Sequence, residues 1–230
     1  MPHAFNGFPP EALMFLHDLA AHNERAWFEA NRSRYEQFVR EPALAFIVAM
    51  QGPLAKVSPH VLAEPKKMGG SLMRIHRDTR FARDKSPYKT NIGIQFRHEA
   101  GRDAHAPGVY LHIAPEEVFL AVGIWQPPSE GLAAIRNAIV EHPAEWKRAR
   151  DARPFRARFE LQGERLTRPP KGFEPEHPLI EDLKWKSFIG VQPLSHELLF
   201  DRGLVKETAA GFKAAAPLMK FICKALHLAF

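Results

Sequence analysis

Apolar positions along the chain change their spacing twice, and the two changes divide it into helices, strands and helices again. Up to residue 54 they recur every three to four residues, the repeat of a helix with one buried face. Leu13, Phe15, Leu16 and Leu19 predict a first helix over residues 9–21, with Pro9 and Pro10 suited to its start. Asn23 stands where an N-cap would open a second helix carrying Ala26, Trp27, Ala30, Tyr35 and Phe38. Pro42 opens a third through Leu44, Ile47, Val48 and Leu54, which Gly52-Pro53 is expected to break or kink.

The middle of the chain alternates instead. Leu72 to Ile75 reads as a strand entry after Gly69-Gly70, and Ile92, Ile94 and Phe96 as a half-buried strand. Val109, Leu111 and Ile113 share one face of another strand, with Tyr110 and His112 on the opposite one. Ala114-Pro115-Glu116-Glu117 is a tight turn into Val118 to Val122, so these two strands form an antiparallel hairpin. After Pro127-Pro128-Ser129 the helical repeat returns through Leu132, Ile135, Ile139 and Trp146. Short strands are expected around residues 156–161 and within 185–194. A terminal helix over 203–228 should turn Leu204, Val205, Phe212, Met219, Ile222, Cys223 and Leu226 inward, kinked at Pro217. Helices, a mainly antiparallel sheet, then helices make an α+β fold. At 230 residues the chain stays below the size, about 250–300 residues, at which one core stops growing, so 1–230 is expected to be one domain.

Composition adds exclusions. With 45% hydrophobic residues the core needs neither metal nor disulfide as a staple. The single cysteine, Cys223, cannot form an internal disulfide and fits a reducing compartment. No apolar run approaches the roughly 18–20 residues of a membrane span, and Met-Pro-His-Ala-Phe lacks the cationic and apolar start of a signal peptide. A cytoplasmic protein is the expectation.

Charge placement changes the picture more than charge itself. Of a net +6, residues 74–90 hold +4, as six Lys/Arg against Asp78 and Asp84. On a strand over 72–78, Arg74, His76 and Asp78 share one face, while Ile75 and Arg77 point the other way. Asp84-Lys85-Ser86-Pro87 then reads as a turn that carries Lys85, Ser86, Tyr88 and Lys89 toward the arginines. Arginine forks and mobile lysine charges beside hydroxyls suit phosphate or carboxylate. Arg74, Arg77, Arg80, Lys85, Ser86, Tyr88 and Lys89 are therefore candidate ligand-binding residues, and His76 with Asp78 the acid–base pair if there is catalysis. Two other uses of the same residues stand beside this one. The arginines and aspartates can satisfy one another as a purely structural network, or the charge can meet nucleic acid across a surface.

The run Arg74-Ile75-His76-Arg77-Asp78-Thr79-Arg80-Phe81-Ala82-Arg83-Asp84-Lys85-Ser86-Pro87-Tyr88-Lys89-Thr90 resembles the signature R-I-x-R-D-T-R-F-x-x-D-K-S-P-Y-K-T of domain-of-unknown-function family 2461. The likeness extends to Gly7-Phe8, Trp27-Phe28, Asn31-Arg32, Gly108 to Ile113, Pro170 to Phe173 and Lys184 to Phe188. It covers nearly the whole chain, which implies one integral domain, and it implies no particular activity. Ala121-Val122-Gly123-Ile124 stands before Trp125 where the family pattern leads one to expect a glycine cluster.

Other candidates carry less. Ser86-Pro87-Tyr88-Lys89 has the Ser-x-x-Lys spacing of acyl enzymes but lacks their Ser-Asp-Asn element. Twelve histidines include no His-x-x-x-His pair, so no metal or other cofactor is expected. Lys206, Lys213, Lys220 and Lys224 make a basic stripe on the last helix, the mark of a solvated face or of a contact with an anionic surface. No reader motif for nucleic acid is present.

Overall fold

In the computed structural model, residues 4–80, 83–101 and 105–230 are described. Helix α1 (Glu11–Ala21) buries Phe15, Leu16 and Leu19, and α2 (Arg25–Ala30) buries Phe28, as their spacing requires. Helix α3 (Arg32–Arg34) continues through a π-helical segment (Tyr35–Arg40) into α4 (Glu41–Ala55) without a break. Pro42 thus does not open a helix. Lacking an N–H, it cannot bond the Phe38 carbonyl and its ring would crowd that group, and the backbone widens into the π form directly before it. Pro53 lies in the last turn of α4, and its missing bond to the Ala49 carbonyl falls where the helix is about to end, so the expected break at Gly52-Pro53 does not occur.

Among the described residues six antiparallel strands follow: β1 (Val61–Leu62), β2 (Ile92–His98), β3 (Gly108–Ile113), β4 (Val118–Ile124), β5 (Glu160–Gln162) and β6 (Phe188–Pro193), in the spatial order β1-β2-β3-β4-β6-β5. Ile94 faces Leu111, Leu111 faces Leu120, and Leu120 faces Gln192 across the sheet. The Ala114–Glu117 turn closes as the sequence predicts, the Ala114 amide donating to the Glu117 carbonyl at 2.9 Å. The strand expected at 72–75 is reduced to one bridge, Leu72 with Ile94.

Helices α5 (Ser129–Glu141), α6 (Pro143–Arg150), α7 (Arg153–Arg156) and α8 (Ile180–Leu183) lead to a 3₁₀ turn (His196–Phe200) and α9 (Gly203–Ala225). Alternation sends Ile94, Phe96, Leu111, Leu120 and Val122 to one face of the sheet, all buried. Helix α9 packs there so closely that a Cβ at Gly211 would lie 2.5 Å from the Leu120 side chain. Phe46 of α4 meets Phe96 at 6.1 Å between rings. The opposite face, carrying Gln95, Tyr110, Phe119, Ala121 and Val191, lines an open groove. Among the described residues no helix is long and apolar enough to cross a membrane. The mixed α+β order read from the sequence is the observed one.

Candidate anion site

Ahead of β2 the chain folds back on itself as a short two-stranded ladder. The Arg77 amide donates to the Pro87 carbonyl (2.9 Å), the Lys89 amide to the Ile75 carbonyl (2.8 Å), and His76 bridges Tyr88. Ile75 and Tyr88 are both buried. The Tyr88 ring stacks on Phe28 of α2 at 4.2 Å, so it belongs to the core rather than closing over a ligand as expected.

Asn23 fixes this ladder from 65 residues away. Its Nδ2 donates to the Tyr88 carbonyl at 3.0 Å and its Oδ1 accepts from the Tyr88 amide at 3.0 Å. The predicted N-cap role is therefore not the observed one: Glu24 precedes α2, with no side-chain capping bond.

The outer side carries the charge. Arg74, His76 and Asp78 are all exposed, as alternation demands. Asp78 is bound to Arg80 by two parallel contacts, Nε to Oδ1 at 3.0 Å and Nη2 to Oδ2 at 2.7 Å, and accepts the Arg80 amide as well (3.2 Å). These bonds hold its carboxyl well below the usual carboxylate range. Asp78 is thus a fixed negative charge, and among the described residues it forms no hydrogen bond or ion pair with His76. The Arg74 guanidinium stands 4.0 Å from it. Asp84 accepts the Ser86 amide at 2.9 Å and meets Arg77 Nη1 at 3.0 Å. Lys85 donates to the Thr79 carbonyl at 2.8 Å. Arg80, Lys85 and Ser86 are engaged within the loop, and to that extent the segment is a self-satisfying network.

Lys89 is the exception. It is half-buried, and among the described residues its ammonium has no hydrogen bond or ion pair. Burial, then the fields of Arg74 and Arg77, lower its affinity for its proton. Beside it, the Arg77 Nε is buried with no hydrogen-bond partner among the described residues, although Nη2 reaches the Tyr88 carbonyl at 3.4 Å. Arg74 and Arg77 are thus near enough for their fields to act on Lys89, and the carboxylates that meet them are shared with Arg80 and with the Ser86 amide.

Residues 11–221 match a family described as conserved hypothetical protein (DUF2461). The chain belongs to that family. No curated protein and no solved structure matches it.

In this DUF2461 chain the segment that carries the family resemblance is the ladder with its charged loop. The glycine before Trp125 also has a visible reason. Gly123 has φ +126°, and a Cβ there would lie 2.0 Å from the Phe188 carbonyl oxygen, so β4 and β6 approach closely at this one glycine.

A second polar cluster was legible only in part. The alternation of β3 puts Tyr110 and His112 on the face opposite Val109, Leu111 and Ile113 but does not show their partners. Tyr110 Oη lies 3.1 Å from His112 Nδ1, Asn91 Nδ2 lies 3.4 Å from Tyr110 Oη, and Glu117 Oε1 lies 3.8 Å from His112 Nε2. Asn91 and Glu117 gave no signal because the register β2–β3–β4, not local spacing, brings them there.

Elsewhere, burial pushes the Cys223 thiol up to about 11, so it is not a nucleophile at neutral pH. On the lysine stripe of α9, Lys224 is paired with Glu145 at 2.8 Å.

Proposed function

We propose that this protein binds a small anionic ligand, phosphate-bearing in the reading we favour, through Lys89, Arg74 and Arg77. The observation that carries the reading is Lys89: a half-buried ammonium with no acidic partner among the described residues, set beside two guanidiniums. Holding like charges together costs folding free energy, and an anion between them offsets that cost with charge-assisted hydrogen bonds. Arg77 Nε, buried with no partner, is a further donor in the same corner. Arg80, Lys85 and Ser86 shape the loop around it. A cytosolic location belongs to the same reading, supported by a single, buried cysteine. If the bound anion reacts, we assign His76 as the proton carrier, and Asp78, locked to Arg80, serves as a fixed charge.

A thermal-shift series with inorganic phosphate, pyrophosphate, ATP, citrate and short oligonucleotides tests this at low and moderate salt. An anion at a hundredfold excess over its dissociation constant stabilises the fold by about 2.7 kcal/mol. For a chain of this size that is a rise of about 5–10 °C in Tm. The expected result is a salt-resistant rise with a small anion, absent in Lys89→Met. A rise confined to oligonucleotides at low salt would assign the charge to a nucleic-acid surface instead, and no rise with any anion would leave the segment a structural network.

A further inference from the structure

The two aspartates of the basic segment meet their arginines in different ways. Asp78 is closed on Arg80 by two parallel contacts and by the Arg80 amide, and it stands 4.0 Å from Arg74. Asp84 divides its oxygens. Oδ1 accepts the Ser86 amide at 2.9 Å and fixes the turn, while Oδ2 meets Arg77 Nη1 at 3.0 Å through a single contact. The Asp84 side chain is 57% exposed, and an ion pair so open to water contributes little to stability. Such a contact exchanges readily for another anion.

Arg77, the residue Asp84 touches, has donors to spare. Its Nε is buried with no hydrogen-bond partner among the described residues, and its Nη2 reaches the Tyr88 carbonyl only at 3.4 Å. The Arg77–Pro87 and Lys89–Ile75 backbone bonds flank the His76–Tyr88 bridge, so alternation puts Arg77 and Lys89 on one face of the ladder. Both are half-buried there. Diagonal neighbours of this kind stand about 7–8 Å apart, close enough for two long cationic side chains to meet on one oxyanion. Lys89 has no acid of its own among the described residues, so Asp84 is the one carboxylate there that is ion-paired with either cation.

We infer that Asp84 is an internal competitor for the anion: its carboxylate occupies Arg77 in the free protein and gives way when ligand binds. This exchange presupposes the anion site proposed above and adds a charge requirement to it. A monocarboxylate entering the site only replaces one carboxylate on Arg77 with another, so it gains little beyond Lys89. An oxyanion with two negative charges holds the Arg77 fork and the Lys89 ammonium together, which offsets the lost Asp84 contact. The ligand class is therefore a phosphate monoester or pyrophosphate rather than a simple carboxylate.

Isothermal titration calorimetry of the intact protein with phenyl phosphate and benzoate tests this at pH about 7.5, where a phosphate monoester is mostly dianionic. Both probes carry the same ring, so the anionic group is what differs. The parent should bind phenyl phosphate at least tenfold more tightly than benzoate. Asp84→Asn keeps an oxygen for the Ser86 amide and removes the charge, so it should bind phenyl phosphate at least twofold more tightly than the parent does. Asp84→Ser, which can close the same kind of turn, should do likewise even if the asparagine variant does not fold. Glu130→Gln, the same change of charge at an exposed position of α5, should alter the affinity less than twofold. A gain below twofold in both Asp84 variants, or an equal gain in Glu130→Gln, overturns the inference and leaves the anion site standing. Benzoate bound within tenfold of phenyl phosphate by the parent overturns it as well. If phenyl phosphate binds neither the parent nor the Asp84 variants, the anion site itself fails, and the competitor with it.

Discussion

Replacing Asn23 distinguishes two roles that its sequence position allows. As an N-cap, Asn23 would tolerate serine or aspartate with little loss, since all three cap helices about equally well. In the structure its carboxamide instead spans the Tyr88 amide and carbonyl at 3.0 Å each, a geometry that neither serine nor aspartate reproduces. Tyr88 is 2% exposed, so Asn23→Ala leaves its N–H without a partner and its carbonyl with only the 3.4 Å contact from Arg77. An orphaned buried donor costs about 1–3 kcal/mol, and the weakened carbonyl adds to it, so the loss should be about 2–3 kcal/mol. Over a domain of this size that is a fall in Tm of about 4–12 °C. Thermal and urea unfolding followed by circular dichroism read it out for Asn23→Ala, Asn23→Ser and Asn23→Asp. All three should fall together. An Asn23→Ser protein within about 0.5 kcal/mol of the parent would refute the clamp and restore the cap.

Gly123→Ala should cost at least about 3 kcal/mol, because it combines a positive φ with a 2.0 Å approach to the Phe188 oxygen, and chemical denaturation would show it. Lys89→Met should raise Tm at neutral pH in the absence of ligand. The folded pKa of Lys89 lies below its unfolded value, so its charge penalises the fold at neutral pH and is relieved as pH climbs through the folded pKa; the advantage of Lys89→Met should therefore vanish above the unfolded lysine value of about 10.4. In an NMR titration His112 should ionise below the ordinary histidine range because burial disfavours its cation, and Glu117→Gln should push it lower still, since the carboxylate acts in the opposite direction.

The α+β order was readable because each strand of the central meander alternates cleanly: Val109, Leu111 and Ile113 inward, Tyr110 and His112 outward, with a Pro-bearing turn between β3 and β4. What escaped was long-range. Asn23 carries a local capping signal, yet its partner is 65 residues away and no spacing rule reaches that far. Pro42 and Pro53 read as punctuation, but one is absorbed by a wider helical turn and the other falls where the helix ends anyway. The basic segment was visible as a charge excess. Its division into Asp78 and Asp84, which tie the loop, and Lys89, which no acid meets among the described residues, depends on distances that composition does not contain. Tyr88 reads as a ligand-binding residue from its neighbours and is buried because Phe28 supplies a ring for it to stack on.

The most direct test of the anion site is the ionisation of the Lys89 ammonium itself, followed by heteronuclear NMR of ¹³C,¹⁵N-lysine-labelled protein with and without pyrophosphate, the resonance being assigned by Lys89→Met. In the free protein Lys89 should lose its proton at lower pH than the other lysines. Saturating pyrophosphate should raise that pKa toward or above the ordinary value, and Arg77→Ala should require at least tenfold more pyrophosphate for the same effect. A Lys89 resonance whose titration is unmoved by excess pyrophosphate would contradict the proposed site.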